Sequence, residues 1–111
     1  MTKSNHQLLE KRCVPCEGGT PPLAEPEIEN LLPLVPGWSV ENHELSRVFS
    51  FKNYYQTTAF VNAVAWIAHR EDHHPDISFG YKACTIRYST HSVGGLTEND
   101  FICAAKINAL L

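Results

Sequence analysis

At 111 residues, with 43% hydrophobic and 19% charged side chains, the chain has material for one compact core and little else. A formal net charge of -3 with neutral histidines, and no cluster of Lys or Arg, excludes the electrostatic footprint of direct nucleic-acid binding. No apolar run approaches the length that spans a bilayer, and "MTKSNHQLLEKRC" at the N-terminus holds no long apolar segment, so a cytoplasmic, non-membrane protein is expected.

Residues 1–22 read as an extended N-terminal arm, rich in Gly and Pro toward its end. The arm carries Cys13 and Cys16 as a C-x-x-C, which is half a zinc site or a redox pair. The other cysteines, Cys84 in an expected strand and Cys103 in an expected helix, lack a second ligand at metal spacing, and reduced thiols are the default in the cytoplasm. A short helix follows, with Pro26 in its first turn and Ile28, Leu31 and Leu32 as its apolar side, stopped by Pro33, Pro36 and Gly37. In "WSVENHELSRVFSFK" the apolar residues alternate, from Trp38 and Val40 to Leu45, Phe49 and Phe51. This predicts two strands joined at "ENHE", with a bulge where Val48 and Phe49 break the pattern.

From 53 to about 72 there is neither Gly nor Pro, and Phe60, Val64 and Ile67 fall at helical spacing beside Ala63 and Ala68. This main helix ends on His69 and Arg70, before Pro75. A second hairpin follows, with Ile77, Phe79 and Tyr81 on one strand's face and Cys84, Ile86 and Tyr88 on the next strand. The last helix starts at Thr97 as N-cap, with Asp100 three residues on as a capping-box partner and Leu96 and Phe101 as a hydrophobic staple. Loss of such a cap costs about 1 kcal/mol. The predicted fold is α+β, in the order α-β-β-α-β-β-α: a four-stranded antiparallel sheet with three helices on one face, a two-layer sandwich. Its other face and its edges are then most simply covered by oligomerisation.

Three of the six histidines, His69, His73 and His74, crowd the end of the main helix. The hairpin between them should return His91 to the same end, beside His73 and His74. Three readings of this cluster stay open. Imidazoles around a cavity suit general acid and base chemistry. His69 and His73 also have the H-x-x-x-H spacing of a helical zinc site, with His91 as a third ligand. Cationic side chains at a helix C-terminus need no function at all.

"HREDHHPDISFGYKACTIRYSTHSVGGLTENDF" resembles the pterin-4a-carbinolamine dehydratase family: a His-His-Pro, Tyr81 six residues after Pro75, His91 seventeen after His74, and Asp100 nine later. The likeness runs over residues 23–111, and the cysteine-bearing arm lies outside it. The resemblance implies dehydration of 4a-hydroxytetrahydropterin to quinonoid dihydropterin and water, recycling the cofactor of aromatic amino acid hydroxylases such as phenylalanine hydroxylase. It implies His73 and His91 as proton-transfer residues, with His74 completing the catalytic set by binding and orienting the substrate. Pro75, Thr90, Ser92 and Val93 would line the pterin site, and His69, Asp72 and Asp100 would orient the histidines. His69 stands where animal members carry glutamate. No metal and no cofactor is implied, the pterin being the substrate, and the family suggests a homodimer or homotetramer. Animal members also serve as the dimerisation cofactor of a homeodomain transcription factor, so an interaction module is the competing reading. A dehydratase acting on another pterin is a third.

Overall fold

The computed structural model describes residues 5–16 and 20–111, with the side chains of residues 5 and 6 excepted; "EGG" of the Gly-rich arm lies outside the described residues. The elements are α1 (Asn5–Glu10), α2 (Glu25–Leu31), β1 (Ser39–Glu41), β2 (Glu44–Ser50), α3 (Tyr54–Glu71), β3 (Asp76–Phe79), β4 (Ala83–Tyr88) and α4 (Glu98–Asn108). From α2 onward this is the order predicted from the sequence. The strands form one antiparallel sheet in the order β1-β2-β4-β3, so the two hairpins join through β2 and β4, and the helices pack against the sheet.

Each element follows from local chemistry. Pro26 occupies the first turn of α2, and the Glu27 carboxylate accepts a hydrogen bond from Ala24 N–H at 3.0 Å. The β1–β2 turn places Asn42 and His43 at φ 51° and 63°, the left-handed pair of a two-residue hairpin, which Asn tolerates better than most residues. Asn53 caps α3 by accepting from Gln56 N–H at 2.9 Å. At Gly37, φ is 89° and a Cβ would lie 2.7 Å from the Arg47 guanidinium, so a side chain there meets both strain and a clash.

The bulge expected at Val48 and Phe49 is absent: β2 pairs with β4 without interruption from Leu45↔Tyr88 to Ser50↔Ala83. Leu45, Arg47 and Phe49 share the helix-covered face, and Val48 points away and is 61% exposed. The sequence pattern misled because a charged residue sits on the inner face. Arg47 lays its guanidinium 4.4 Å from the Phe49 ring centroid and donates to Asn108 Oδ1 and the Pro36 carbonyl, keeping its charge at the rim.

The arm is not simply extended, as the sequence implied. It contains α1, whose Leu8 is 1% exposed and packs with the core against α4, while Lys106 donates to the Leu9 carbonyl at 2.8 Å. As a result α4 is covered on several sides, and Phe101, Ile102, Cys103, Ala104, Ala105 and Ile107 are all buried. The expected staple pair, Leu96 and Phe101, is buried too. Phe79 and Tyr81, expected to share a strand face with Ile77, are largely exposed; β3 is an edge strand and stops at Phe79. Among the described residues no helix is long and apolar enough to cross a membrane.

Candidate active site

Helix α3 ends in a left-handed turn that sets the direction of the two histidines after it. Asp72 adopts φ 51°, its N–H donates to His69 O, and His73 N–H reaches back to Ala68 O at 3.1 Å. This is the hydrogen-bond pattern of a Schellman motif, with Asp where glycine is commoner. The turn carries His73 under the rest of the fold. Its ring stacks on Tyr88 of β4, with centroids 5.3 Å apart and planes 16° apart, and the Tyr88 hydroxyl donates to the His73 carbonyl at 3.2 Å.

Asp100, 0% exposed in the first turn of α4, receives this histidine. His73 Nε2–H donates to Asp100 Oδ1 at 2.6 Å. Oδ2 accepts from the Thr90 hydroxyl and from Thr97 N–H, each at 2.9 Å, and the Thr97 hydroxyl is left to donate to Thr90 Oγ1 at 2.8 Å. One buried carboxylate thus caps a helix and grips an imidazole, and its burial is offset by three donors. For His73, burial lowers the pKa, but the hydrogen bond to Asp100 and that residue's negative charge outweigh it. The imidazole is held above its ordinary value and takes a proton more readily.

His73 and Asp72 stand between two cavities. A groove of about 390 Å³ is lined by both together with His69, His74, Pro75 and Ile77. A narrower cavity of about 240 Å³ is lined by both together with Thr90, Ser92, Asn99, Glu71 and residues 13–16 of the arm. The structure therefore brings His69, Asp72, His73, His74 and Pro75 together on one side, and Thr90 and Ser92 with His73 on the other. Val93 is half-buried in the same turn.

His91, expected beside His73 and His74, has its neighbours Thr90 and Ser92 on the cavity that His73 lines. It is exposed and lines a third depression with Asn42, His43 and Glu44. After β4 the chain runs through Ser89 and Thr90 and makes a tight 3-10 turn at His91–Val93, pinned by Thr90 N–H to Gly95 O at 2.8 Å. Thr90 is turned inward to Asp100 and its neighbour His91 outward.

Three residues of this site carry no signal of their role in the sequence. Tyr88 reads there only as a core strand position. Glu71, buried beneath the arm, accepts from Cys13 N–H at 2.8 Å and pairs with Arg12 Nε at 3.0 Å. Asn99 holds Val14 at both backbone groups, accepting from its N–H at 3.1 Å and donating to its carbonyl at 2.6 Å. Among the described residues no group of three or more His, Cys, Asp or Glu side chains is arranged to hold a metal ion.

Comparison with known proteins gives this geometry a context. Residues 21–110 match the family model described as pterin 4 alpha carbinolamine dehydratase. A relative from Nitrosomonas eutropha, named for this same dehydratase activity, is 61% identical over 94% of this chain and 93% of its own length. Among solved structures, a transcriptional coactivator/pterin dehydratase from Brucella melitensis superposes with a TM-score of 0.77 at 32% identity, covering 80% of this chain and 97% of that one. A pterin dehydratase-like protein that is a RuBisCO assembly factor in the alpha-carboxysome superposes with a TM-score of 0.55 at 28% identity, over 66% of this chain and 84% of that one. With the family model covering most of the residues and such relatives matching nearly end to end, the chain belongs to the pterin-4a-carbinolamine dehydratase family, whose activity is that of a hydro-lyase.

Proposed function

We propose that the chain dehydrates a 4a-hydroxytetrahydropterin to the quinonoid dihydropterin and water by histidine acid–base catalysis, and that it recycles the pterin of an aromatic amino acid hydroxylase. The observation that carries this reading is the buried contact of His73 with Asp100. The 4a-hydroxyl leaves as water only if it is protonated or strongly hydrogen-bonded, and a ring N–H must lose a proton to supply the electrons. An imidazole whose hold on a proton is strengthened by a buried carboxylate suits the first task. We assign the second proton to His74, which lines the same groove, with solvent restoring both.

The groove at His69, His73, His74 and Pro75 lies at the small end of the usual range for ligand sites, which fits a flat bicyclic heterocycle better than a large cofactor. In this reading Asp100 orients the His73 ring by direct contact, and the charge of Asp72 adds to the raised pKa of that imidazole. His69, whose ring lies 5.4 Å from that of Trp66, lines the groove rim. His91, Thr90, Ser92 and Val93 belong to the proposed site on the far side of Asp100, and His91 would act there on substrate reaching past Thr90. Assembly into two or four copies belongs to the same reading, because β1 and β3 leave sheet edges open.

The test is the rate of loss of 4a-hydroxytetrahydropterin generated by a phenylalanine hydroxylase, with and without the purified protein. Acceleration by the wild type that falls about 100-fold or more in His73→Gln is expected. A folded wild type that leaves the rate unchanged overturns the dehydratase reading. It would turn attention to partner binding, which the coactivator and assembly-factor relatives make the second reading.

A further inference from the structure

Cys13 and Cys103 stand 90 residues apart in the chain, and folding brings their sulfurs to 3.6 Å. The approach is built from both sides. Glu71 holds Cys13 N–H, Asn99 holds both backbone groups of Val14, and Ser92 Oγ donates to the Cys16 carbonyl at 3.1 Å. The arm is therefore clamped at three of four successive residues, with the Cys13 side chain turned onto α4. The thiols differ in access: Cys103 is fully buried, whereas Cys13 is half-exposed and lines the narrow cavity that also touches His73. Cys16, the obvious partner by sequence, has its sulfur against Asn99 Nδ2 at 3.4 Å and the Val14 carbonyl at 3.7 Å.

We propose that Cys13 and Cys103 form a thiol–disulfide pair, oxidised by a low-molecular-weight disulfide that enters at Cys13, and that the bond locks the arm across the cavity beside His73. The Cys13 sulfur attacks one sulfur of the reagent R–S–S–R, and its proton reaches the departing sulfur through solvent in the cavity. A mixed disulfide forms and R–SH leaves. The Cys103 sulfur then attacks Cys13 Sγ and displaces the second R–S⁻, which takes up the Cys103 proton. In net terms two protein thiols lose two electrons to R–S–S–R, giving one protein disulfide and two R–SH. Closing the sulfurs to about 2.05 Å needs a movement of about 1.5 Å, within the reach of side-chain rotation. The two thiols differ: the hydrogen bond with Cys103, burial and nearby negative charge push the Cys13 pKa up, so its attack is the slower step, whereas the displacement by Cys103 is favoured. The Cys13 thiol lowers the pKa of Cys103 by its hydrogen bond, burial opposes this, and the Tyr88 hydroxyl and the charge of His73 lower it further.

The proposal is independent of the reaction at the histidines, since thiol counts and cleavage of the arm read it without turnover. The reduced full chain is treated with hydroxyethyl disulfide, the remaining thiols are alkylated, and cross-linked peptides are mapped by mass. Two of the four cysteines should become protected and appear as one Cys13–Cys103 cross-link. The same cross-link should form in Cys16→Ser and Cys84→Ser, and Cys13→Ser should show none. Tryptic cleavage at Lys11 and Arg12 should slow at least threefold on oxidation of the wild type and stay unchanged in Cys13→Ser. A Cys13–Cys16 cross-link, four cysteines still open to alkylation, or an arm cleaved equally fast when oxidised overturns the proposal.

Discussion

The Asp100→Asn variant probes the centre of the site with the smallest change of shape. An amide oxygen in the place of Oδ2 keeps both of its donors, the Thr90 hydroxyl and Thr97 N–H, so the cap of α4 survives. The amide NH₂ then occupies the place of Oδ1 and faces His73 Nε2. That nitrogen must accept instead of donate, and the ring carries its proton on Nδ1 as a neutral imidazole. One charge-assisted hydrogen bond is lost, worth about 1.5–3 kcal/mol. At roughly 5 °C per kcal/mol for a chain of this size, Tm should fall by about 10 °C. The sign with pH follows from the raised pKa of His73. A folded pKa above the unfolded value gives stabilisation that is fully present below the unfolded value, near 6.5, and is lost as pH rises through the folded one. The Tm gap between wild type and variant should therefore be widest near pH 6 and narrow by about pH 9. Dehydratase turnover should drop by about 10² to 10⁴. Thermal melts at several pH values and the hydroxylase-linked assay measure both effects. A Tm gap that does not vary with pH, together with turnover within twofold of wild type, would show that Asp100 does not hold the proton of His73.

His91→Ala should leave Tm within about 1 °C, because the side chain is exposed. Assayed with each stereoisomer of the hydroxylated carbon, it should slow at least one of them; equal, undiminished rates for both would remove His91 from the reaction. Leu8→Ala should cost about 2–4 kcal/mol in urea melts, since its side chain is fully buried against α4. A loss under about 0.5 kcal/mol would mean that the arm helix is not docked in solution.

The elements legible in the sequence were those whose signals are local. The capping motif at Thr97, the proline in the first turn of α2, the uninterrupted helix to Glu71 and the two hairpin turns each depend on a few neighbouring residues, and the structure contains all of them. What stayed hidden depends on contacts remote in the chain. Arg47 on the inner face imitated a bulge, because alternation cannot show that a guanidinium will reach Asn108, which is 61 residues away. The arm looked extended because α1 is too short to stand alone and is held by its packing on α4. Within the site, His73, His74 and Pro75 were legible as a motif, while Glu71 and Asn99 were not, since their partners are backbone groups of an arm that follows no pattern. The exposure of His91 was not legible either: knowing that a hairpin returns the chain says nothing of which way the following turn rotates each side chain.

Asp100 itself shows how a local signal can conceal a functional one. As the partner of Thr97 it has a sufficient structural explanation, yet the usual residue at this position of a capping box is Glu or Gln. The shorter Asp fits the other duty. The side chain has no exposure at all, and its oxygens already lie 2.6 Å from His73 Nε2 and 2.9 Å from Thr90 Oγ1, so one more methylene has no free volume to enter. Asp100→Glu should therefore separate the two roles. The longer carboxylate can still reach Thr97 N–H and hold the start of α4, so helix content by circular dichroism should be unchanged and the loss of stability should be about 1–3 kcal/mol from overpacking. It cannot also keep both His73 and Thr90 at their present distances, and turnover should fall at least tenfold, in line with the weaker end of acid–base effects. An Asp100→Glu variant as active as wild type would mean that the choice of Asp serves only the packing around Thr90 and that the acid–base histidine is held by some other group.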